Sequence, residues 1–139
     1  MNLKKYLIGA DSDSNVGLLI LRVFIGGALL THGWGKMFGG LEQFTGFVAS
    51  LGVPAPHVMA FLAAFAESFG AILLAVGLLT RPAAFLIVAT MAVAVFGAHG
   101  GQGFAKQEAA WLYLVPALFF LLKGAGRWSL DWFVSKKLG

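Results

Sequence analysis

The sequence predicts an all-α integral membrane protein, a four-helix bundle with a short amphipathic helix between its first and second spans. Of its 139 residues, 59% are hydrophobic and 12% are charged, whereas soluble domains carry about 25% charged residues. Long apolar segments recur along the chain, and each can form a helix that crosses hydrocarbon. Glycine- and proline-containing turns separate these segments. We therefore treat residues 1–139 as a single membrane domain.

The first predicted span covers residues 15–37, and its charged residues are Arg22 and Lys36. Residues 1–14 precede it as a short surface segment, where polar residues interrupt the apolar core that a cleaved secretory signal needs. After the span, apolar residues recur at helical spacing: Phe44, Phe47, Val48 and Leu51. This spacing predicts the short amphipathic helix, which lies on the mouth of the bundle or in the membrane interface.

The other three predicted spans follow the amphipathic helix. The second covers residues 56–79 and holds Glu67 near its middle. A tight turn separates it from the third, residues 82–99, so these two helices are antiparallel neighbours. The fourth covers residues 106–122 and contains Pro116, which a membrane span tolerates.

Basic residues at the ends of the spans predict the orientation of the chain. With four spans both termini lie on one side of the membrane, and most basic residues lie on that side: Lys4, Lys5, Arg81, Lys123, Arg127, Lys136 and Lys137. On the other side lie Lys36 and Lys106. This asymmetry places both termini in the cytoplasm of a bacterial inner membrane. The basic residues form no stripe, so we expect membrane lipid as a partner and no nucleic acid.

Arg22 and Glu67 are the ionisable residues predicted deepest in the membrane. Either residue alone would be an isolated ion in hydrocarbon, so we expect the two to form an ion pair between antiparallel helices. The pair either fixes the register of the helices or leaves Glu67 as a protonatable group in a cavity, with its charge linked to ligand or proton binding.

A second polar cluster is predicted at the periplasmic mouth of the bundle. His32 and Lys36 share one helical face, His99 ends the third span and Glu108 begins the fourth. Four ionisable groups that converge from three helices are expected to form a ligand site. With two neighbouring aromatic residues, the predicted ligand-binding set is His32, Lys36, His99, Glu108, Trp111 and Tyr113.

A quinone-like ligand suits this set. Its carbonyl oxygens can accept hydrogen bonds from His and Lys, aromatic rings can flank its head, and Glu108 can exchange protons with the outside. Haem held by His32 and His99, or a metal held by these residues and Glu108, matches the ligand types. Lys36 argues against both, because it would crowd a haem and repel a cation. The chain has no cysteine, which excludes disulfides, iron–sulfur clusters and thiolate zinc sites.

Five residue patterns follow one another along the chain: Arg22…Gly26…His32-Gly33…Lys36, Gly52-Val53-Pro54, Ala66-Glu67…Gly70, Gly77-Leu78-Leu79-Thr80-Arg81 and Gly126…Trp128-Ser129-Leu130-Asp131. Over about residues 16–132 the sequence resembles the DoxX family of small four-helix membrane proteins. The resemblance implies an inner-membrane bundle linked to respiratory or redox systems, since similar proteins are described as membrane subunits of thiosulfate:quinone oxidoreductases. Without cysteine, any sulfur chemistry would occur on a partner or a bound ligand.

We therefore expect a membrane subunit that supports quinone-linked redox chemistry, together with partner subunits of a redox enzyme or a second copy of the chain. Whether the chain is itself an enzyme is left open. Two alternatives stand beside this expectation. One is a non-catalytic scaffold or assembly partner, whose polar groups only specify packing. The other is a small proton-coupled transporter, which Glu67 at mid-depth supports and which would need a dimer to form a pathway.

Overall fold

The computed structural model describes residues 15–139, and the regular structure within this range is helical. Six helices follow in chain order: α1 (Asn15–Met37), α2 (Leu41–Ser50), α3 (Pro56–Val76), α4 (Thr80–Ala98), α5 (Phe104–Lys123) and α6 (Leu130–Leu138). The predicted surface segment, residues 1–14, lies outside the described residues. The all-α prediction is confirmed for the part of the chain that the structure describes.

Three of these helices, α1, α3 and α4, are long and apolar enough to cross a membrane. The fourth predicted span, residues 106–122, forms most of α5, which is not among the three. The first turns of α5 carry Lys106, Gln107 and Glu108, and these polar residues lower its mean hydropathy. Three of the four predicted spans are therefore supported by length and composition.

The turn between α3 and α4 explains why α3 ends earlier than residue 79. Gly77 has a φ of +73°, a left-handed conformation that glycine adopts without steric cost. The backbone N–H of Leu78 donates to the carbonyl oxygen of Leu73, and the N–H of Gly77 donates to that of Leu74. The two hydrogen bonds together form a Schellman cap. The helix α4 then begins at Thr80, before Pro82. Proline is tolerated in the first turn because its missing N–H would have no partner there.

Small residues bring α1 and α3 together as antiparallel neighbours. A Cβ atom at Gly26 would lie 2.6 Å from the carbonyl oxygen of Ala71, and a Cβ at Gly33 would overlap the backbone of Glu67. Close backbone approach of this kind is the usual way in which membrane helices pack. The contact sets the register of the two helices, with Gly33 of α1 level with Glu67 of α3.

Large apolar side chains cover the outside of the molecule. Phe24 on α1 and Phe96 on α4 are each 70% exposed, and Leu122 on α5 is 72% exposed. The buried core lies between the helices and includes Leu29 and Phe120. A soluble monomer rarely exposes this much contiguous apolar surface, because water would have to cover it. The pattern is that of a protein surrounded by lipid.

The helix α6 was not predicted as a helix, and it docks on the turn between α3 and α4. The hydroxyl of Ser129 accepts a hydrogen bond from the backbone N–H of Trp132, so Ser129 is its N-cap. Both carboxylate oxygens of Asp131 accept hydrogen bonds from this turn, at 2.7 Å from the N–H of Leu79 and 2.9 Å from that of Thr80. In the sequence, Ser129 as a possible N-cap and Asp131 in the first turn are the pattern that indicates the start of α6.

Candidate functional site

The structure corrects the predicted Arg22–Glu67 ion pair. The Nζ atom of Lys36 donates to Oε2 of Glu67 at 2.7 Å. Arg22, which is fully buried, donates from Nη2 to the backbone carbonyl oxygen of Trp128 at 2.5 Å. Arg22 and Glu67 therefore have partners different from those predicted.

The direction of helical side chains explains the error. Because Gly33 lies against Glu67, Arg22 is eleven residues, or about 16 Å, away from that level along α1. Side chains in a helix lean toward its N-terminus. The side chain of Lys36 therefore reaches back to Glu67, whereas that of Arg22 reaches away from it. A depth estimate from helix ends alone misses this difference.

The Lys36–Glu67 pair lies at the wall of a largely apolar cavity of about 400 Å³. The cavity is enclosed by α2, α3, α4 and the end of α1. The side chain of Glu67 is 6% exposed, and that of Lys36 is 35% exposed. Thr90 on α4 and His99, the residue that follows α4, also line this cavity, so four polar residues face an otherwise hydrophobic space.

Two widened turns lie beside these polar residues. Glu67 belongs to a π-helical stretch of α3, Ala66–Gly70, and a second π-helical stretch of α4, Ala94–Ala98, immediately precedes His99. In the first stretch the hydroxyl of Ser68 donates to the carbonyl oxygen of Ala64 at 2.6 Å, which helps to satisfy the altered backbone. Single π-helical turns within α-helices are frequent at functional sites.

The predicted amphipathic helix is present as α2, and it forms one wall of the cavity. Phe44 and Phe47 both line the cavity, and their rings lie nearly parallel with centroids 6.4 Å apart. The Nζ atom of Lys36 lies 4.7 Å from the centroid of the Phe44 ring, within the range of a cation–π interaction. One aromatic residue of α2 is thus in direct contact with the ion pair.

The predicted ligand-binding residues are divided between the cavity and its surroundings. Lys36 and His99 line the cavity. His32 is exposed and packs edge-on against Tyr113 of α5, with ring centroids 5.9 Å apart. This contact joins α1 to α5 outside the cavity wall. Glu108 is exposed and is not a lining residue.

Trp111 is connected to the site indirectly through Gln107. Its indole N–H donates to Oε1 of Gln107 at 3.3 Å, and Nε2 of Gln107 donates to the backbone carbonyl oxygen of His99 at 3.0 Å. The ring Nδ1 of His99 lies 3.5 Å from Oε1 of Gln102. Residues 102 and 107 were not singled out in the sequence, although they flank the predicted His99 and Glu108.

Comparison with known proteins identifies the family. The sequence model of the DoxX family matches residues 17–100. The chain belongs to the DoxX family. The match includes Lys36, Glu67, Thr90 and His99, so every polar side chain that lines the cavity lies in the part of the chain that DoxX proteins share.

Relatives of this DoxX protein come from several bacteria, and two of them are named as membrane proteins. A Haemophilus influenzae protein described as uncharacterized is 35% identical over 121 residues, which is 82% of this chain and 87% of the relative. A Bacillus subtilis protein named "Putative oxidoreductase CatD" is 33% identical, covering 91% and 92%. The Escherichia coli inner membrane protein YphA is 37% identical, covering 59% of each chain. No solved structure matches the sequence. The relatives and the three apolar helices make this DoxX chain a membrane protein.

The DoxX cavity offers hydrogen-bond donors, a carboxylate and aromatic rings in place of a metal-binding cluster. Among residues 15–139, no group of three or more His, Cys, Asp and Glu side chains is arranged to hold a metal ion. Sequence reasoning identified Lys36, Glu67 and His99 as polar residues of interest, but it assigned Glu67 to the wrong partner. It also left Phe44 and Phe47 out of the site.

Proposed function

We propose that this DoxX protein is an inner-membrane subunit that supports quinone-linked redox chemistry and holds a quinone-like ligand in the cavity beside Lys36 and Glu67. The observation that carries the proposal is the Lys36–Glu67 ion pair, whose lysine is partly exposed and which lines an apolar cavity of about 400 Å³. Small-molecule sites are typically apolar clefts of about 300–1,000 Å³ with a few placed polar groups. A quinone has the same division between an apolar body and two carbonyl oxygens.

The polar residues match the needs of a quinone head. The ammonium of Lys36 has three donors, and its hydrogen bond to Glu67 uses one of them. A second donor can reach a quinone carbonyl oxygen in the cavity. The imidazole of His99 can donate to the other carbonyl, while Phe44 and Phe47 offer flat surfaces to the ring.

Reduction of a quinone consumes two electrons and two protons. The Lys36 ammonium can give a proton to the reduced ligand and take a new one from water, since its side chain is 35% exposed, while the Glu67 carboxylate holds it in place. Two such transfers supply the two protons. The chain has no cysteine, so the electrons come from a partner redox subunit or a soluble donor. The oxidoreductase name of the Bacillus subtilis relative supports a redox role over transport.

We also assign α5 as a fourth span. It has 20 residues and is therefore about 30 Å long, which equals the thickness of a bilayer core. It packs along α4 and exposes Leu112, Val115 and Leu118. With four spans both termini lie on one side, and the basic residues at that end favour the cytoplasm as that side. The site then opens toward the periplasm.

Quinone binding to the purified protein tests the proposal. Decylubiquinone binding in detergent is measured by quenching of tryptophan fluorescence. Lys36→Met is expected to weaken binding about tenfold or more, because a hydrogen bond to a charged donor is worth about 1.5–3 kcal/mol. His32→Ala is the matched control, since His32 does not line the cavity. Equal affinities of Lys36→Met and the wild type, or equal losses in both variants, would refute the site.

The scaffold alternative has one observation in its favour, which is that Lys36 and Glu67 satisfy each other without a ligand. It predicts that a folded Lys36→Met/Glu67→Gln double variant supports quinone-dependent respiration in cells as well as the wild type. The quinone proposal predicts a loss of that respiration with normal membrane levels of the protein. Measuring both quantities in one strain distinguishes the two functions.

A further inference from the structure

A second cavity lies at the opposite end of the helices from the Lys36–Glu67 pair. Its volume is about 630 Å³, and it lies between the turn at residues 79–82, the loop at residues 123–127 and α6. We propose that this cavity binds a phosphate group, with the headgroup of an anionic phospholipid as its main source. The proposal is independent of the quinone site, with which this cavity shares no lining residue.

The charges around the second cavity favour an anion. Arg81, Lys123 and Arg127 all line it, although they come from the start of α4, the end of α5 and the following loop. Asp131 is the carboxylate among the described lining residues, and both of its oxygens already accept backbone N–H groups. Three cations and one occupied carboxylate leave a formal charge of +2 on the lining.

The loop that joins Lys123 to Arg127 is held in place. Gly124 and Gly126 have φ values of +86° and +87°, which an L residue with a side chain rarely adopts. The backbone N–H of Arg127 donates to Oδ1 of Asn15 on α1 at 3.0 Å. The guanidinium of Arg81 lies beside Gly124 and donates to the carbonyl oxygen of Leu122 at 3.4 Å. The backbone thus keeps the basic side chains around one space.

A buried charge behind the cavity adds to its positive potential. The guanidinium of Arg22 lies next to Gly77, as does the side chain of Ser129, which lines the cavity. Its Nε and Nη1 atoms have no hydrogen-bond partner among residues 15–139. Arg22 is fully buried, so its charge is poorly screened by solvent.

The surroundings of the cavity point to a lipid as the source of the phosphate. Leu18 and Pro82 line the cavity beside the basic residues, so an acyl chain can follow its apolar wall. Trp132 also lines it. Tryptophan is enriched at headgroup depth, and basic pockets between membrane helices bind anionic headgroups. Arginine binds phosphate oxygens bidentately.

Native mass spectrometry of the full chain tests the proposal. The wild type is expected to retain one dioleoylphosphatidylglycerol through detergent washing and no dioleoylphosphatidylcholine. Arg81→Gln/Arg127→Gln is expected to bind the anionic lipid about tenfold more weakly, since charge-assisted bonds to phosphate are lost. The matched control is Lys136→Gln/Lys137→Gln, which removes the same charge from the same end but alters no lining residue.

Each outcome decides the proposal. Loss of lipid in the arginine double variant with retention in the lysine control supports it, and displacement of the lipid by excess inorganic phosphate supports the phosphate site with a soluble source. Equal losses in both double variants, or equal retention of the two lipids by the wild type, overturn it. If the arginine double variant does not fold, as judged by size-exclusion chromatography, Lys123→Gln replaces it and must lower lipid retention.

Discussion

Substitution of Gly33 by alanine tests the contact that sets the register of α1 and α3. The new Cβ would overlap the backbone carbon, the backbone oxygen and the Cβ of Glu67. None of these atoms can move away by a rotamer change, so the two helices must separate. Overpacking of this kind costs about 1–3 kcal/mol, and the helix-forming gain of Gly→Ala offsets about 0.5–1 kcal/mol. We expect a net loss of up to about 2.5 kcal/mol in the free energy of unfolding.

Other glycines of α1 provide the matched controls. A Cβ at Gly27 or Gly35 meets no atom within 4 Å, so alanine there keeps only the gain of about 0.5–1 kcal/mol. Unfolding by sodium dodecyl sulfate in mixed micelles, followed by circular dichroism, measures all three variants. Gly33→Ala must unfold at a lower detergent fraction than the wild type, and the controls must not. A Gly33→Ala variant as stable as Gly35→Ala would show that α1 and α3 do not meet at Gly33.

Two further predictions use the same unfolding assay. Lys36→Met and Glu67→Gln are each expected to destabilise the protein, and the loss in the double variant should be smaller than the sum of the two single losses by a coupling energy of about 0.5–3 kcal/mol. The losses caused by Arg22→Leu and Glu67→Gln should instead add up in their double variant. A coupling energy between Arg22 and Glu67 would support the ion pair predicted from sequence. Gly77→Ala should lower the free energy of unfolding more than Gly52→Ala does. Both residues have positive φ, but a Cβ at residue 77 would also overlap the Arg22 guanidinium. Equal losses in the two variants would mean that backbone strain of about 1–2 kcal/mol is the sole cause.

The apolar pattern of the sequence predicted the helices well. The bounds of α1 agree with the prediction, since a long and mostly apolar run precedes Gly39 and Gly40. The spacing of Phe44 and Phe47 predicted α2, and both residues lie on the side of this helix that lines the cavity. The early end of α3 depended on the backbone conformation of Gly77, which a hydropathy pattern does not report.

The ionic contacts were harder to predict than the helices. Span depth placed Arg22 and Glu67 within reach of each other, but the partner of each charge depends on which way the side chain leans and on where Gly33 fixes the register. The docking of Asp131 on a turn 51 and 52 residues earlier is a tertiary contact without a local pattern. Sequence therefore identified which residues are polar and deep, and tertiary packing determined how they pair.

The two π-helical stretches have a consequence for comparisons between members of the family. Each wide turn accommodates about one residue more than an α-helical turn, which shifts the rotational phase of everything beyond it by about 100°. Deleting one residue from positions 66–70 would restore an ordinary α-helix. The part of α3 on one side of the deletion would then rotate by about 100° relative to the part on the other side. A homologue with a one-residue gap at this point must present a different amino acid to its chamber, however similar the flanking sequence is.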